Sequence, residues 1–143
     1  MNIESVIKSD HFKLIEIWEA SVRATHDFLT EDDLQELKLL ILEKYFDAVD
    51  LKCVKNEQGE IQGFCGVHEG NIEMLFILPE VRRKGVGKML VTHAIKQLGA
   101  SKVDVNEQNE QALAFYLNIG FRICGRSPLD GQGKPYPLLN MKL

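Results

Sequence analysis

The segment Val81-Arg82-Arg83-Lys84-Gly85-Val86-Gly87-Lys88 gathers four cationic side chains and two glycines in one short stretch. It follows the apolar run Ile72 to Leu78 and the breaker Pro79. It opens the stripe Val86, Leu90, Val91, Ala94, Ile95, Leu98, whose spacing predicts a helix. A strand-to-helix junction of this composition suits an anion: glycine lets the backbone approach a ligand closely, and the first N–H groups of the helix point outward with the positive end of its dipole behind them. Cations at a helix N-terminus disfavour the helix by about 0.3–1 kcal/mol each, so the cluster calls for a compensating anion, foremost a phosphate. Two familiar phosphate loops are excluded. The Walker pattern requires a glycine at position 82 and Ser or Thr at 89, where Arg82 and Met89 stand, and the dinucleotide fingerprint requires a third glycine at 90, which is Leu90. Arg-x-x-Gly-x-Gly remains.

A second informative stretch runs from Asn109-Glu110-Gln111-Ala112 into Phe115-Tyr116-Leu117-Asn118-Ile119-Gly120-Phe121. By physics alone it reads as an asparagine N-cap, a helix with an aromatic core face and a glycine at the C-terminus.

The elements that must position these stretches follow from periodicity. Ile3, Val6 and Ile7 predict a short first strand, ended near Ser9 and Asp10, either of which can cap a helix carrying Phe12, Leu14, Ile15, Ile17, Trp18 and Val22. Thr30 followed by Glu31, Asp32 and Asp33 opens a second helix, expected to run to about Asp47. Leu51 to Lys55 and Ile61 to His68 form a hairpin about the polar turn Asn56 to Glu60, and Glu69-Gly70-Asn71 turns into Ile72 to Leu78. After the glycine junction and its helix, Lys102 to Asn106 is a strand reached by a crossover, hence parallel to the one before it. Phe121 to Gly125 and Leu138 to Leu143 are the last strands, with a Gly- and Pro-rich loop from Pro128 to Pro137 between them.

A chain of 143 residues with 45% hydrophobic content can bury a core as one domain over residues 1–143. A net charge of −4 argues against a nucleic-acid binder, which needs a basic face, so the basic cluster is local. Cys53, Cys65 and Cys124 show no metal spacing and read as buried thiols of a reducing compartment. With no bilayer-length apolar run and no secretory leader, the expectation is a cytoplasmic protein without membrane contact. His11, His68 and His93 lack partners at metal spacing, and no metal is expected.

Arg-x-x-Gly-x-Gly, then a helix, a strand, Asn-x-x-Ala and Phe-Tyr-x-x-x-Gly-Phe together resemble the GNAT superfamily of acetyl-CoA-dependent N-acyltransferases. The likeness spans the whole element order and is most specific from Ile72 to Phe121. Three stretches are also similar to one bacterial branch, the YjaB-type acetyltransferases: Thr25 to Leu29, Val105 to Gln111 and Gly133 to Asn140. The resemblance implies an α/β fold with a mixed, mostly antiparallel central sheet. The strand from Ile72 to Leu78 would bulge and splay from its parallel neighbour, Lys102 to Asn106, opening a V-shaped cleft for the thioester, and helices flank both faces. It implies acetyl-CoA as cosubstrate and a primary amine as acceptor, attacked directly in a sequential reaction. Backbone groups of Leu75, Phe76 and Ile77 would pair with the pantetheine amides, one N–H serving as a single-donor oxyanion hole. The pyrophosphate would lie on the segment Arg82, Arg83, Lys84, Gly85, Val86, Gly87 and Lys88, with Asn109 and Phe115 on the cofactor side. Tyr116 would protonate the departing thiolate, since a phenol and a thiol are mild acids of comparable strength.

The amine must also lose a proton, because a lysine-like ammonium titrates near ~10.4. Glu73 is the first candidate base, sharing strand parity with Leu75 and Ile77 and so their face unless a bulge intervenes. Asp104, the one charged residue in an otherwise apolar strand beside the cleft, is the second, and a water chain competes with both. Trp18, His26 and Phe28 lie in or beside the helix-to-helix segment that in such enzymes covers the acceptor; His26 reads either as an acceptor contact or as a loop histidine that caps or packs, and Trp18 and Phe28 as substrate wall or core. A CoA-binding sensor or partner subunit without catalysis is the alternative, and a nucleotide-binding α/β domain is disfavoured by the two failed loop patterns.

Overall fold

A computed structural model describes residues 1–143. One seven-stranded sheet runs through it in the order β1-β2-β3-β4-β5-β7-β6. The strands are β1 (Asn2–Ser5), β2 (Asp50–Lys55), β3 (Ile61–His68), β4 (Asn71–Ile77), β5 (Lys102–Asn106), β6 (Arg122–Ser127) and β7 (Leu138–Lys142). Every neighbouring pair is antiparallel except β4 and β5. That parallel pair is joined only at Asn71↔Lys102 and Ile72↔Val103, after which the two strands part. The sheet is therefore split along its middle from Glu73 onward, as the resemblance implies.

Helices cover both faces. On one side lie α1 (His11–Thr25) and α2 (Glu31–Leu40), the latter running through a π-helical stretch, Ile41–Tyr45, into the single turn α3 (Phe46–Ala48). Leu14, Ile17, Trp18, Leu34, Ile41 and Phe46 pack there against Leu51, Cys53, Phe64 and Met74 of the sheet. On the other side α4 (Val86–Gln97) and α5 (Glu110–Ile119) cover Val67, Ile72, Val103, Val105 and Met141 with Val91, Ala94 and Tyr116. The helical stripe expected after Gly85 is buried at Val86, Leu90, Val91 and Ala94.

The expected caps form at two helices and fail at the first. Thr30 Oγ1 accepts from the Asp33 N–H at 3.2 Å, and Asn109 Oδ1 from the Ala112 N–H at 3.1 Å. Gly120 ends α5 at φ 123°. Asp10 does not cap α1: its carboxylate accepts from the Ile7 N–H at 3.0 Å and closes the 3-10 turn Lys8–Asp10, so β1 stops at Ser5 and Ile7 is exposed. The second helix reaches Ala48, but only through the π stretch, which a 3.6-residue period does not reveal. Cys53 and Cys65 are buried, whereas Cys124 is exposed, contrary to the reading of three buried thiols. It lies on β6, an edge strand whose residues stay largely in contact with solvent.

Candidate active site

Two features of β4 shape the split. Met74 to Ile77 pair with β3 in regular order, but Gly66 faces Met74 while Val67 faces Ile72, so Glu73 is an extra residue in β4. Such a bulge places two consecutive side chains on one face. Glu73, Met74 and Phe76 accordingly line a cavity on the α1/α2 side. Leu75 and Ile77 face the opposite way, into the cores beneath α4 and α5. The parity expected for Glu73 is thus overturned: it shares a face with Met74 and Phe76, not with Leu75 and Ile77. The bulge thereby brings Glu73 into the same cavity as Asp104.

That cavity has a volume of about 480 Å³. Its walls include Trp18, Leu37, Ile41, Tyr45 and Phe76, its acids are Glu73, Asp104 and Asp130, and His26, Asn71, Asn106 and Gln132 supply neutral polar groups. Asp104 alternates with the buried Val103 and Val105 and so points away from α5. Its Oδ1 accepts from Asn140 Nδ2 at 2.8 Å, a contact from the adjacent strand β7. Glu73 has no such tether. Sequence patterns did not single out Asn140 or Asp130. The strand pairing Asp104↔Asn140 emerges only once β7 inserts between β5 and β6.

The loop from residue 128 to 137 crosses over this cavity and is fastened to α2. Lys134 Nζ donates to Asp33 Oδ1 at 2.6 Å and to Glu36 Oε2 at 2.8 Å, and the Tyr136 hydroxyl donates to the other Asp33 oxygen. These bonds hold the Asp33 carboxyl below its ordinary range and raise Lys134 and Tyr136 above theirs. Within the loop, Asp130 Oδ1 accepts from the N–H groups of Gln132 and Lys134, each at 2.9 Å. Phe28 does not line the cavity. It stands behind it, between His26 and Tyr136, with ring centroids 5.2 and 6.0 Å away.

On the opposite face of the split lies the glycine junction. Gly85 is the residue before α4, at φ 84°, and Arg83 is also left-handed at φ 66°. The first helical bond runs from the Met89 N–H to the Gly85 carbonyl at 3.0 Å, which leaves the N–H groups of Val86, Gly87 and Lys88 without helical partners. Arg83, Lys84, Gly85 and Lys88 are exposed around them. The two glycines serve different ends. A Cβ at Gly85 would meet nothing within 4 Å, so it is the backbone conformation that demands glycine, whereas a Cβ at Gly87 would press against the Phe115 ring at 3.3 Å. Arg82 turns away from these free N–H groups. Its Nη2 lies 3.5 Å from Ser21 Oγ on α1, and its charge reaches His26.

Tyr116 is 5% exposed and packs edge-on against Phe115 and Phe121, with centroids 5.2 and 5.5 Å away. Burial raises its phenol well above the ordinary value, with Cys65 adding to the shift. The hydroxyl is therefore protonated at neutral pH, as an acid must be. It is also a weaker acid than a free phenol, so its match to the coenzyme thiol is less close than the unperturbed values suggest. No group of three or more His, Cys, Asp or Glu is arranged to hold a metal ion.

A mixed sheet split between its parallel strands, with a cationic glycine junction on one face and an acidic cavity on the other, is the arrangement implied by the resemblance to acetyl-CoA-dependent acyltransferases. Residues 50–123 match the model of the acetyltransferase (GNAT) domain, and the chain belongs to that family. It is 43% identical to the peptidyl-lysine N-acetyltransferase YjaB of Salmonella typhimurium over 141 residues, covering 99% of this chain and 97% of that protein. Among solved structures it superposes on apo YjaB from Escherichia coli with a TM-score of 0.87 at 40% identity, covering 99% and 95% of the two chains. An N-acetyltransferase from Thermoplasma acidophilum in complex with coenzyme A shares the fold, with a TM-score of 0.75 at 19% identity and coverage of 99% and 98%. The protein is an enzyme that transfers an acetyl group from acetyl-CoA to an amine.

Proposed function

We propose that this acetyltransferase, one domain over residues 1–143, acts on lysine side chains of peptides or proteins. The observation that carries this reading is the cavity of about 480 Å³, in which Glu73, Asp104 and Asp130 stand among Trp18, Leu37, Ile41 and Phe76. Apolar walls suit the four-carbon stem of lysine and carboxylates suit its ammonium. The name of the Salmonella relative agrees with this choice of acceptor.

The donor lies on the other side of the split. From Glu73 to Ile77 the β5-facing edge of β4 has no strand partner; the register with β3 turns the backbone groups of Phe76 to Phe64 and leaves those of Leu75 and Ile77 available to the pantetheine amides and the acetyl carbonyl. The pyrophosphate sits on the N–H groups at the start of α4, beside Arg83, Lys84 and Lys88. Phe115 backs the loop at Gly87, and Asn109, whose Oδ1 is engaged in capping, presents its amide nitrogen to the pantetheine arm.

The reaction balances within these groups. Glu73 takes the ammonium proton, and the neutral nitrogen attacks the thioester carbon. The C–N bond forms, the C–S bond breaks, and the thiolate takes the Tyr116 phenolic proton; the second N–H proton, shed by the nitrogen as the amide forms, restores the tyrosinate to a phenol, and Glu73 returns its own proton to solvent. Glu73 is the proton acceptor of choice because it has no side-chain tether, whereas Asp104 is held by Asn140 and fixes the ammonium in place. Trp18 walls the acceptor, and Phe28, which does not reach the cavity, backs the His26 ring. The enzyme works in the cytoplasm on peptide rather than nucleic acid. Its buried thiols Cys53 and Cys65 and its net charge of −4 support both points.

Tyr116→Phe tests the reading. We expect kcat with a lysine peptide to fall about a hundredfold while CoA affinity, measured by calorimetry, stays within about twofold. Unchanged turnover removes Tyr116 from the mechanism.

A further inference from the structure

We propose that His26 is the hydrogen-bond acceptor that orients the attacking amine, its Nε2 lone pair receiving one N–H of the acceptor nitrogen. The inference rests on the amine-acceptor cavity described above and gives it a specific contact.

The tautomer of His26 follows from its neighbours. Thr25 Oγ1 lies 2.8 Å from the Ser21 carbonyl oxygen and 2.7 Å from His26 Nδ1. A hydroxyl has one proton, and a carbonyl oxygen can only accept, so that proton goes to Ser21. Nδ1 must then carry its own proton and donate it to Thr25. The other nitrogen, Nε2, is left with a lone pair and has no partner within the protein, and His26 lines the acceptor cavity.

The ring is fixed as well as its tautomer. The His26 N–H donates to the Val22 carbonyl at 2.7 Å, its own carbonyl accepts from the Leu29 N–H at 3.1 Å, and the imidazole packs on Phe28. Arg23 clamps the end of α1 to the start of α2 through Glu31, with two bonds of 2.8 and 2.9 Å. The segment between the helices is thereby held at both ends.

Charge settles which acceptor this ring can be. Burial, then the Arg82 guanidinium, pulls the imidazole down to about 4 against a smaller opposing effect of Asp27, so at neutral pH it is uncharged. An imidazolium in this place would repel an ammonium and would donate, not accept. The neutral ring takes an N–H instead. Once the acceptor nitrogen has lost its extra proton it retains two N–H bonds, and holding one on Nε2 fixes the direction of its lone pair.

The test compares His26→Leu and His26→Gln with the wild type, using acetyl-Gly-Lys-Gly-amide and spermidine as acceptors. Gln places an oxygen near the position of Nε2, and Leu fills the space without an acceptor. We expect His26→Leu to raise the acceptor KM about tenfold, the loss of one hydrogen bond, with the acetyl-CoA KM within about twofold of wild type. His26→Gln should recover most of that loss. An unchanged acceptor KM in His26→Leu overturns the inference, and so does equal impairment of both variants with intact melting temperatures, which would mean that the ring only packs. If the wild type prefers spermidine to the peptide, the lysine-peptide reading fails, and the same comparison on spermidine still decides the role of His26.

Discussion

His26 is held neutral in the folded protein down to about pH 4, whereas a free imidazole titrates near 6.5. Between those values the unfolded chain binds a proton that the folded chain refuses, so acidification favours unfolding across this window. The melting temperature is expected to fall from pH 6.5 to pH 4, and His26→Gln should flatten that decline. A second drop, from carboxyls held low by their partners, such as Glu19, Glu31 and Glu107, begins only below about 4.5 and persists in the variant. At the glycine junction, Gly85→Leu would force a left-handed backbone on a branched side chain, costing about 1–2 kcal/mol, and would project that side chain into the open space before α4. Loss of measurable CoA binding with only a modest fall in melting temperature is the expected result, and retained affinity would disprove the loop assignment. The residues of this junction were legible in sequence because glycine, charge and helix onset fall together. The side-chain direction of Arg82 was not, since its contact with Ser21 joins residues 61 positions apart.

Among the elements, the loop between β6 and β7 is held over the acidic cavity, the proposed acceptor site, by Lys134 and Tyr136 on Asp33. Lys134→Met removes the ion pairs with Asp33 and Glu36 but keeps the stem. It should raise the KM for a lysine peptide several-fold and leave acetyl-CoA kinetics unchanged, because the loop touches only the acceptor side. Equal effects on both substrates would show that the loop serves the whole fold. Periodicity placed every strand and the four long helices within a few residues. It could not reveal the π stretch at Ile41–Tyr45, nor place at Glu73 the bulge that the family resemblance implied for this strand, because each is one extra residue accommodated by tertiary packing. The bulge mattered most, since it reversed the face assigned to Glu73 and brought two candidate carboxylates into one cavity. The contact between Asn140 and Asp104 was likewise hidden, because it depends on β7 pairing with β5 and not on any local pattern.

For the whole molecule, the two halves of the sheet are joined across the middle at only two residue pairs. A ligand that lies in the gap and bonds to β4 substitutes for the missing ladder, so CoA at a hundred times its Kd should stabilise the fold by about 2.7 kcal/mol and raise the melting temperature by roughly 8 °C. Hydrogen exchange at Leu75 and Ile77 should slow in the same experiment. The family was legible because the junction and the Phe-Tyr helix are both local signals. The acceptor was not, because its cavity is assembled from α1, α2, β4, β5 and a distant loop.

The bulged strand β4 has a consequence for kinetics. It stands as a partition, with Leu75 and Ile77 on one side and Glu73, Met74 and Phe76 on the other. If the proposed sites hold, the two substrates arrive through separate doors and meet only at the slit between β4 and β5. Neither has to vacate its place for the other, so double-reciprocal plots should intersect. A dead-end CoA analogue should compete with acetyl-CoA and act noncompetitively toward the lysine peptide.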